Sequence, residues 1–491
     1  MKTPALLTTA AVTVALLALT ACTAGGTDTA EPDWKPKPVT WSECSPDDPA
    51  VTIEPGLECA TLKVPLDYSD PEAGMTEIAL SKLSATESAE NAETVLMNPG
   101  GPGAGGRSLP FLGTANLADL ATDHDLVGFD PRGTGASAPL DCLEQATTLT
   151  GFEPTEEAMT AAIDAQTKDR AACISENEEY IASMNAATTA RDMDAIRVAL
   201  GLKKVDYLGY SWGTYLGAVY RSLFPESIDE IVLDSIAPPD IDLAAIQPGV
   251  AELGEPALQA FAEFVAASPE GATLGTTPDE VKTSLTELSD TMLGKQVTVP
   301  EDDGFGGTLG AAALSDAVFG VKATWPIMLA QIVQMDAALG TLADVEPGTD
   351  IVASGTEAAY LCNDSTTEQS AASAWKSISK LRADFPQTWT ATQAYYYGFC
   401  VDWPADLSPD PVALEDTGRP LLLAAHTDEL VTPESLAPDM QGAIGGSILT
   451  MEDDVHGSTG NASACGAAAV TEFLRTGKTE TTTCEYDIPA P

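Results

Sequence analysis

The chain has 491 residues, 44% hydrophobic and 20% charged, which is enough apolar material for a large core and argues against wholesale disorder. That length predicts two or three domains, or one domain carrying a large insertion. With 23 basic against 74 acidic residues the formal net charge is −51, a field that repels nucleic acid and anionic membrane surfaces, favours amine-bearing ligands and keeps the surface strongly solvated.

Lys2 is followed by an apolar run, Ala5 to Ala18, too short to span a membrane comfortably. The run ends in Leu19-Thr20-Ala21-Cys22, which resembles the lipobox of bacterial lipoproteins, where the leader is cut before a cysteine that then becomes lipid-modified. The other reading is an ordinary secretory signal cleaved nearby. The expected organisation is therefore a signal peptide over 1–21 and a tether over 22–40, rich in Gly, Thr and Pro. This places the protein on the outer face of a bacterial cell membrane through a lipid on Cys22, or free in the medium. Eight cysteines remain: Cys44, Cys59, Cys142, Cys173, Cys362, Cys400, Cys465 and Cys484. An even count in an exported chain predicts disulfides, and pairing each with its neighbour in sequence is the simplest of many connectivities. No CxxC or HExxH occurs, so neither a metal nor another cofactor is expected.

Two alternating segments, Ala60 to Leu66 and Glu77 to Leu83, read as an antiparallel strand pair around Asp67-Tyr68-Ser69-Asp70-Pro71. Continuous apolar runs follow at Thr94 to Met97, Asp125 to Phe129, Val205 to Leu208 and Ile231 to Leu233, with helical spacing from Thr189 to Leu200 and a stop at Gly201. Strands of that kind alternating with helices predict a mainly parallel α/β sheet over 41–238. From 239 to 360 the chain reads as Ala- and Leu-rich helices broken by Gly and Pro, a helical cap over the site. The α/β pattern returns within 361–491 at Pro420 to Ala425 and Ser447 to Met451, and a helix from Ala467 to Leu474 closes the fold.

The chemistry centres on Gly209-Tyr210-Ser211-Trp212-Gly213, a Gly-x-Ser-x-Gly between an apolar strand and an amphipathic helix. That context is a nucleophile elbow, whose glycines let neighbouring backbone pass close to a serine on a strained turn. A serine hydroxyl needs an imidazole to take its proton, and the imidazole needs a carboxylate to hold its tautomer. In the α/β-hydrolase order of Ser, acid, His, the three histidines separate. His124 precedes the elbow; His426 would require an acid upstream of it and reads instead as a loop or supporting histidine; His456 lies just past the last strand. The expected triad is Ser211, Asp428 and His456, with Asp402, Asp453 and Asp454 as weaker acid candidates. The loop Asn98 to Gly106 formally contains Gly101-x-Gly103-x-x-Gly106, a dinucleotide pattern, but Pro102 interrupts it. An oxyanion loop is the better reading, with donors from the N–H of Trp212 and that of Gly100 or Gly101.

Val64-Pro65-Leu66-Asp67-Tyr68, Asn98-Pro99-Gly100-Gly101-Pro102-Gly103, Gly128 to Gly135, the elbow, Cys362-Asn363-Asp364, Trp403-Pro404 and Asp428-Glu429-Leu430-Val431-Thr432-Pro433 occur in that order. Together they resemble the tripeptidyl aminopeptidase branch of the prolyl aminopeptidase-like α/β-hydrolases. The resemblance spans most of the chain and implies an α/β-hydrolase fold that releases short peptides, or proline-type residues, from free N-termini. It assigns the same triad. The chain departs from it at His426-Thr427 and at Asp454-Val455, which affects substrate fit rather than the catalytic groups. An aminopeptidase must hold an α-ammonium, and Glu357 and Asp364, at the junction of cap and core, are the candidates. Asp130 and Arg132 are expected to pair structurally. The competing functions are an esterase or lipase on the same scaffold and a non-catalytic solute-binding lipoprotein.

Overall fold

The computed structural model describes residues 34–45, 56–87, 92–113, 117–140, 142, 155–292, 294–302, 305–310, 314, 317, 320–344, 355–365, 370–388 and 396–487. The expected signal peptide, the lipobox cysteine Cys22 and most of the tether lie outside these residues.

In chain order the strands are β1 Ser42–Glu43, β2 Leu57–Pro65, β3 Met75–Leu83, β4 Glu93–Asn98, β5 His124–Phe129, β6 Val205–Tyr210, β7 Ile228–Asp234, β8 Lys295–Asp302, β9 Phe305–Leu309, β10 Ala343–Asp344, β11 Leu421–His426, β12 Ser447–Met451 and β13 Thr483–Cys484. Ten of them form one sheet in the order β1-β2-β3-β5-β4-β6-β7-β11-β12-β13. The first three are joined antiparallel, and every pairing from β5 to β13 is parallel. The central strands β6 and β11 are buried along their whole length, as their unbroken apolar runs require for a sheet covered on both faces. Successive side chains divide between those faces. Tyr207, Leu233 and Leu423 pack with the helices Ala186–Ala199 and Trp212–Leu223. Leu208, Val232 and Leu422 pack with the helix Ala464–Thr476 on the other side. Sequence reading anticipated this architecture.

Between β7 and β11 the chain leaves the sheet. The long helices Leu243–Ala267, Pro278–Met292 and Trp325–Ala337 build their own apolar cluster around Phe261, Leu288 and Trp325. The insertion is not wholly helical, however: β10-β8-β9 form a separate small sheet. It also runs further than 360, because the helix Gly355–Asp364 spans that boundary and the helix Ala371–Asp384 follows before β11. Four disulfides close neighbouring cysteines, Cys44–Cys59, Cys142–Cys173, Cys362–Cys400 and Cys465–Cys484.

The antiparallel edge is locked to the core by buried charge. Arg132 is fully buried; its Nε and Nη2 donate to the two Asp192 oxygens at 2.8 and 2.6 Å, and its other donors reach the carbonyls of Pro65 and Leu66. Tyr68 donates to Asp192 at 2.8 Å, and Tyr360 Oη to the Arg132 carbonyl at 2.8 Å. Asp130 takes a different partner from the one expected, accepting from Arg107 Nε at 2.7 Å. Two residues apart on one loop, Asp130 and Arg132 each bind a distant element and so tie three segments together rather than each other. Breaking one half of a buried pair strands the other charge. Asp192→Ala is therefore expected to cost about 3–5 kcal/mol in urea unfolding.

Candidate active site

Ser211 sits at φ 56°, ψ −127°, between β6 and the helix Trp212–Leu223. A non-glycine residue held there costs about 1–3 kcal/mol, so surrounding bonds must impose it. Its N–H donates to the Asp234 carbonyl at 3.0 Å, and its carbonyl accepts from Thr214 N at 2.8 Å and Thr214 Oγ1 at 2.7 Å. The flanking glycines are sterically required. A Cβ on Gly209 would overlap the Gly213 carbonyl, and one on Gly213 would stand 2.8 Å from Asn98 Oδ1. The loop after β4 closes on the same point, because a Cβ on Gly100 would lie 2.8 Å from Ser211 Cβ and 3.0 Å from Trp212 N. Gly100 has φ +90° and donates its N–H to Asn98 Oδ1 at 2.9 Å, which commits that donor. The N–H groups of Trp212 and Gly101 have no hydrogen-bond acceptor among the described residues. Both stay available beside Ser211, at the N-terminus of a helix whose dipole favours negative charge.

His456 lies on the loop after β12, one third exposed, and its Nδ1 meets Glu429 Oε1. The expected acid was Asp428, and here the structure differs by one residue. Asp428 is half exposed and pairs with Lys322, which comes from the insertion. Glu429 is buried and saturated: Oε1 also accepts from Thr432 N at 3.0 Å and Thr432 Oγ1 at 2.7 Å, and Oε2 from Ser235 Oγ at 2.8 Å. Adjacent residues leaving β11 point to opposite sides, so the turn that buries one carboxylate exposes the other. Burial alone would raise the Glu429 carboxyl, but the hydrogen bond and charge of His456 outweigh it and the net shift is downward. Burial likewise opposes charge on His456, yet the hydrogen bond and charge of Glu429 lift its imidazole above the ordinary range. This is the arrangement a catalytic imidazole needs, one nitrogen held by a carboxylate and the other left for the nucleophile.

His426, at the end of β11, is completely buried between two aspartates, with Nε2 2.6 Å from Asp234 Oδ1 and Nδ1 2.7 Å from Asp453 Oδ1. With both ring nitrogens occupied it has no free position for proton transfer from a substrate or Ser211. Burial disfavours the charged ring, but the Asp234 and Asp453 carboxylates push its pKa up to about 11. The same aspartates hold the His456 loop: Asp234 Oδ2 accepts from Thr459 N at 3.2 Å and from Thr459 Oγ1, and Asp453 accepts from Ser458 Oγ at 2.6 Å and Val455 N at 3.1 Å. The remaining acid candidates go elsewhere. Asp454 accepts from Lys322 N at 2.6 Å, and Asp402 lines a cleft of about 270 Å³ with Arg170, Pro404 and Leu407.

Glu357 and Asp364 share the helix Gly355–Asp364 but differ in role. Both Asp364 oxygens accept the Ala186 N–H, at 3.1 and 3.0 Å, which commits that carboxylate to the N-terminus of the helix Ala186–Ala199; burial pushes it up to about 8. Glu357 lies one turn before Tyr360, whose ring meets the Trp212 indole edge-on at 5.2 Å between centroids. Burial pushes the Glu357 carboxyl up to about 7.

Two outcomes follow from this geometry. Glu429→Gln should lower kcat by about 10³–10⁴-fold and move the acid limb of kcat/KM to lower pH, since the carboxylate that lifts His456 is gone; Asp428→Asn should leave both near wild type. For His426 the folded pKa of about 11 exceeds the ordinary ~6.5, so its contribution to stability is complete below about pH 6.5 and is lost as pH rises towards 11. Urea unfolding from pH 6 to 10 should show stability falling with pH, and falling less steeply in His426→Gln.

Residues 93–301 match the family described as alpha/beta hydrolase fold, and residues 386–484 the family described as TAP-like protein. A tripeptidyl aminopeptidase of Streptomyces lividans is 30% identical over 478 residues, covering 90% of this chain and 85% of that protein. The serine protease Hip1 of Mycobacterium tuberculosis is 34% identical over 214 residues, 42% of this chain and 41% of that one. A carboxylesterase B of Mycobacterium tuberculosis is 26% identical over 446 residues, covering 85% of this chain and 84% of that protein. A likeness to the Streptomyces enzyme that runs nearly end to end, over a sheet that presents a serine on a strained elbow, settles the relationship: the chain is a serine hydrolase of the α/β-hydrolase fold and belongs to the tripeptidyl aminopeptidase family.

Proposed function

We propose that the protein is an extracytoplasmic serine exopeptidase that removes short peptides, tripeptides in the first instance, from free N-termini. Ser211 is the nucleophile, His456 its base and Glu429 the acid. His456 takes the hydroxyl proton as Ser211 attacks the scissile carbonyl, and the imidazolium that forms is stabilised by Glu429. The tetrahedral oxyanion accepts from the Trp212 and Gly101 N–H groups. His456 then donates its proton to the leaving amine, and water resolves the acyl-enzyme by the same steps.

The observation that carries the exopeptidase reading is Glu357. It is a carboxylate in a mostly buried position, one helical turn from the aromatic ring that packs on Trp212, next to the nucleophile. An α-ammonium there would form a charge-assisted pair and fix the distance from N-terminus to scissile bond. The relative named for tripeptide release supports the same substrate class. Four disulfides support an oxidising compartment, and the Leu19-Thr20-Ala21-Cys22 sequence supports a lipid anchor on Cys22 at the outer face of the cell membrane. An esterase on the same scaffold is the second reading, favoured by the carboxylesterase relative.

The test compares peptidyl chromogenic substrates with free and acetylated N-termini and a simple p-nitrophenyl ester. Free tripeptidyl substrates should be cleaved, acetylated ones should not, and Ser211→Ala should abolish turnover. Glu357→Gln should raise KM for free peptides about ten- to a hundredfold, the worth of one charge-assisted hydrogen bond, and leave ester hydrolysis unchanged. Equal turnover of free and blocked peptides, or of esters alone, would sink the exopeptidase reading.

A further inference from the structure

The N-terminal ends of the central strands carry a cluster that the hydrolytic reaction does not use. Glu93 and His124 open the adjacent parallel strands β4 and β5 and are register partners, and Asp206 lies near the start of β6 on the other side of β4. His124 is 2% exposed. Its Nδ1 lies 2.8 Å from Asp123 Oδ1, and Arg475 in turn holds that carboxylate with Nε on Oδ2 at 2.8 Å and Nη2 on Oδ1 at 3.1 Å. A carboxylate on Nδ1 makes that nitrogen the protonated one and turns the Nε2 lone pair inward. Buried Nε2 has no hydrogen-bond partner among the described residues. It faces Glu93 Oε2 at 3.5 Å and Asp206 Oδ2 at 3.9 Å, while Asp206 Oδ1 is occupied by the Glu230 N–H at 3.0 Å. No lysine or arginine forms an ion pair with Glu93 or Asp206 among the described residues.

We propose that Glu93, His124 and Asp206 bind a divalent transition-metal ion, zinc by preference, with water completing a four-coordinate site. Three features support it. The three ligand atoms lie within 4.8 Å of one another. Bonds of about 2.1 Å in a tetrahedron set ligand atoms about 3.4 Å apart, close to the two distances from Nε2, so small side-chain movements suffice. One imidazole and two carboxylates suit zinc, whereas calcium and magnesium favour all-oxygen shells. Finally, the carboxylate behind the imidazole is the outer partner that orients metal-bound histidines. Glu93 is exposed, so the ion has a path from solvent and the water position stays open. Zinc here would staple the starts of three central strands, at the ends of β4 and β6 away from Asn98 and Ser211.

The experiment titrates the full exported chain, stripped with chelator and then dialysed free of it, with zinc chloride alone. Calorimetry and thermal unfolding are read in parallel, with magnesium and calcium chloride as controls for the acidic surface. One equivalent of zinc should bind and raise Tm, and the control ions at the same concentration should not. Glu93→Gln, at an exposed position, and the near-isosteric Asp206→Asn should each weaken zinc more than about tenfold without changing peptide hydrolysis. Asp123→Asn should weaken it about 10–100-fold. Absence of a saturable zinc site, equal responses to magnesium, or zinc affinity unchanged in Glu93→Gln would each overturn the proposal.

Discussion

The backbone of Ser211 is the constraint on which the active centre depends. A positive φ at a residue with a side chain persists only if its surroundings leave no alternative, and here they come from the ends of β7 and β4 and the first turn of the helix. The Asp234 carbonyl at the end of β7 holds its N–H, Thr214 holds its carbonyl from the first turn of the helix, and the Asn98–Gly100 loop after β4 lies against its Cβ. Gly209 and Gly213 exist because that packing leaves no room for a side chain. The strain exposes the hydroxyl at the carboxyl edge of the sheet and aims a helix N-terminus at the same spot.

Beneath the elbow, a second layer of charge positions the base. Asp234 serves both: its carbonyl fixes Ser211 and its carboxylate receives His426 and Thr459. Asp453 receives His426, Val455 and Ser458, so the loop that carries His456 is held from both ends. Ser235, itself at φ 61°, donates to Glu429 and accepts from Gly457, connecting acid, base and strand β7 through one hydroxyl. Lys322 brings the insertion into this assembly by bonding Asp428 through its ammonium and Asp454 through its backbone N–H, one from the acid loop and one from the base loop. The position of the insertion is thereby coupled to the two loops that flank the reacting groups.

The parallel sheet was legible in the sequence because strands buried on both faces leave apolar runs, as β4 to β7 and β11 did. The elbow was legible because its glycines are local in sequence. The carboxylate partner of His456 was not: Asp428 and Glu429 are neighbours, both carboxylates, and only the burial of Glu429 after β11 tells them apart. Thr432, three residues on, is the one sequence signal that points to Glu429, since a short loop can return its hydroxyl and N–H to that carboxylate. Similarly, Asp364 reads as a pocket acid until the Ala186 N–H appears beside it, 178 residues away. The strands of the insertion were missed because a small sheet of Gly- and Thr-containing segments has no long apolar run. The His124 cluster had no motif to show because three strands supply one ligand each.

The central claim is that Ser211 is activated by His456 while His426 only supports it. The most direct measurement is the rate of labelling by a fluorophosphonate probe, with the adduct located by peptide mass spectrometry. A single adduct on Ser211, formed orders of magnitude more slowly in His456→Ala than in His426→Gln, is the predicted result. An adduct on another residue, or labelling of Ser211 that persists undiminished without His456, would contradict it.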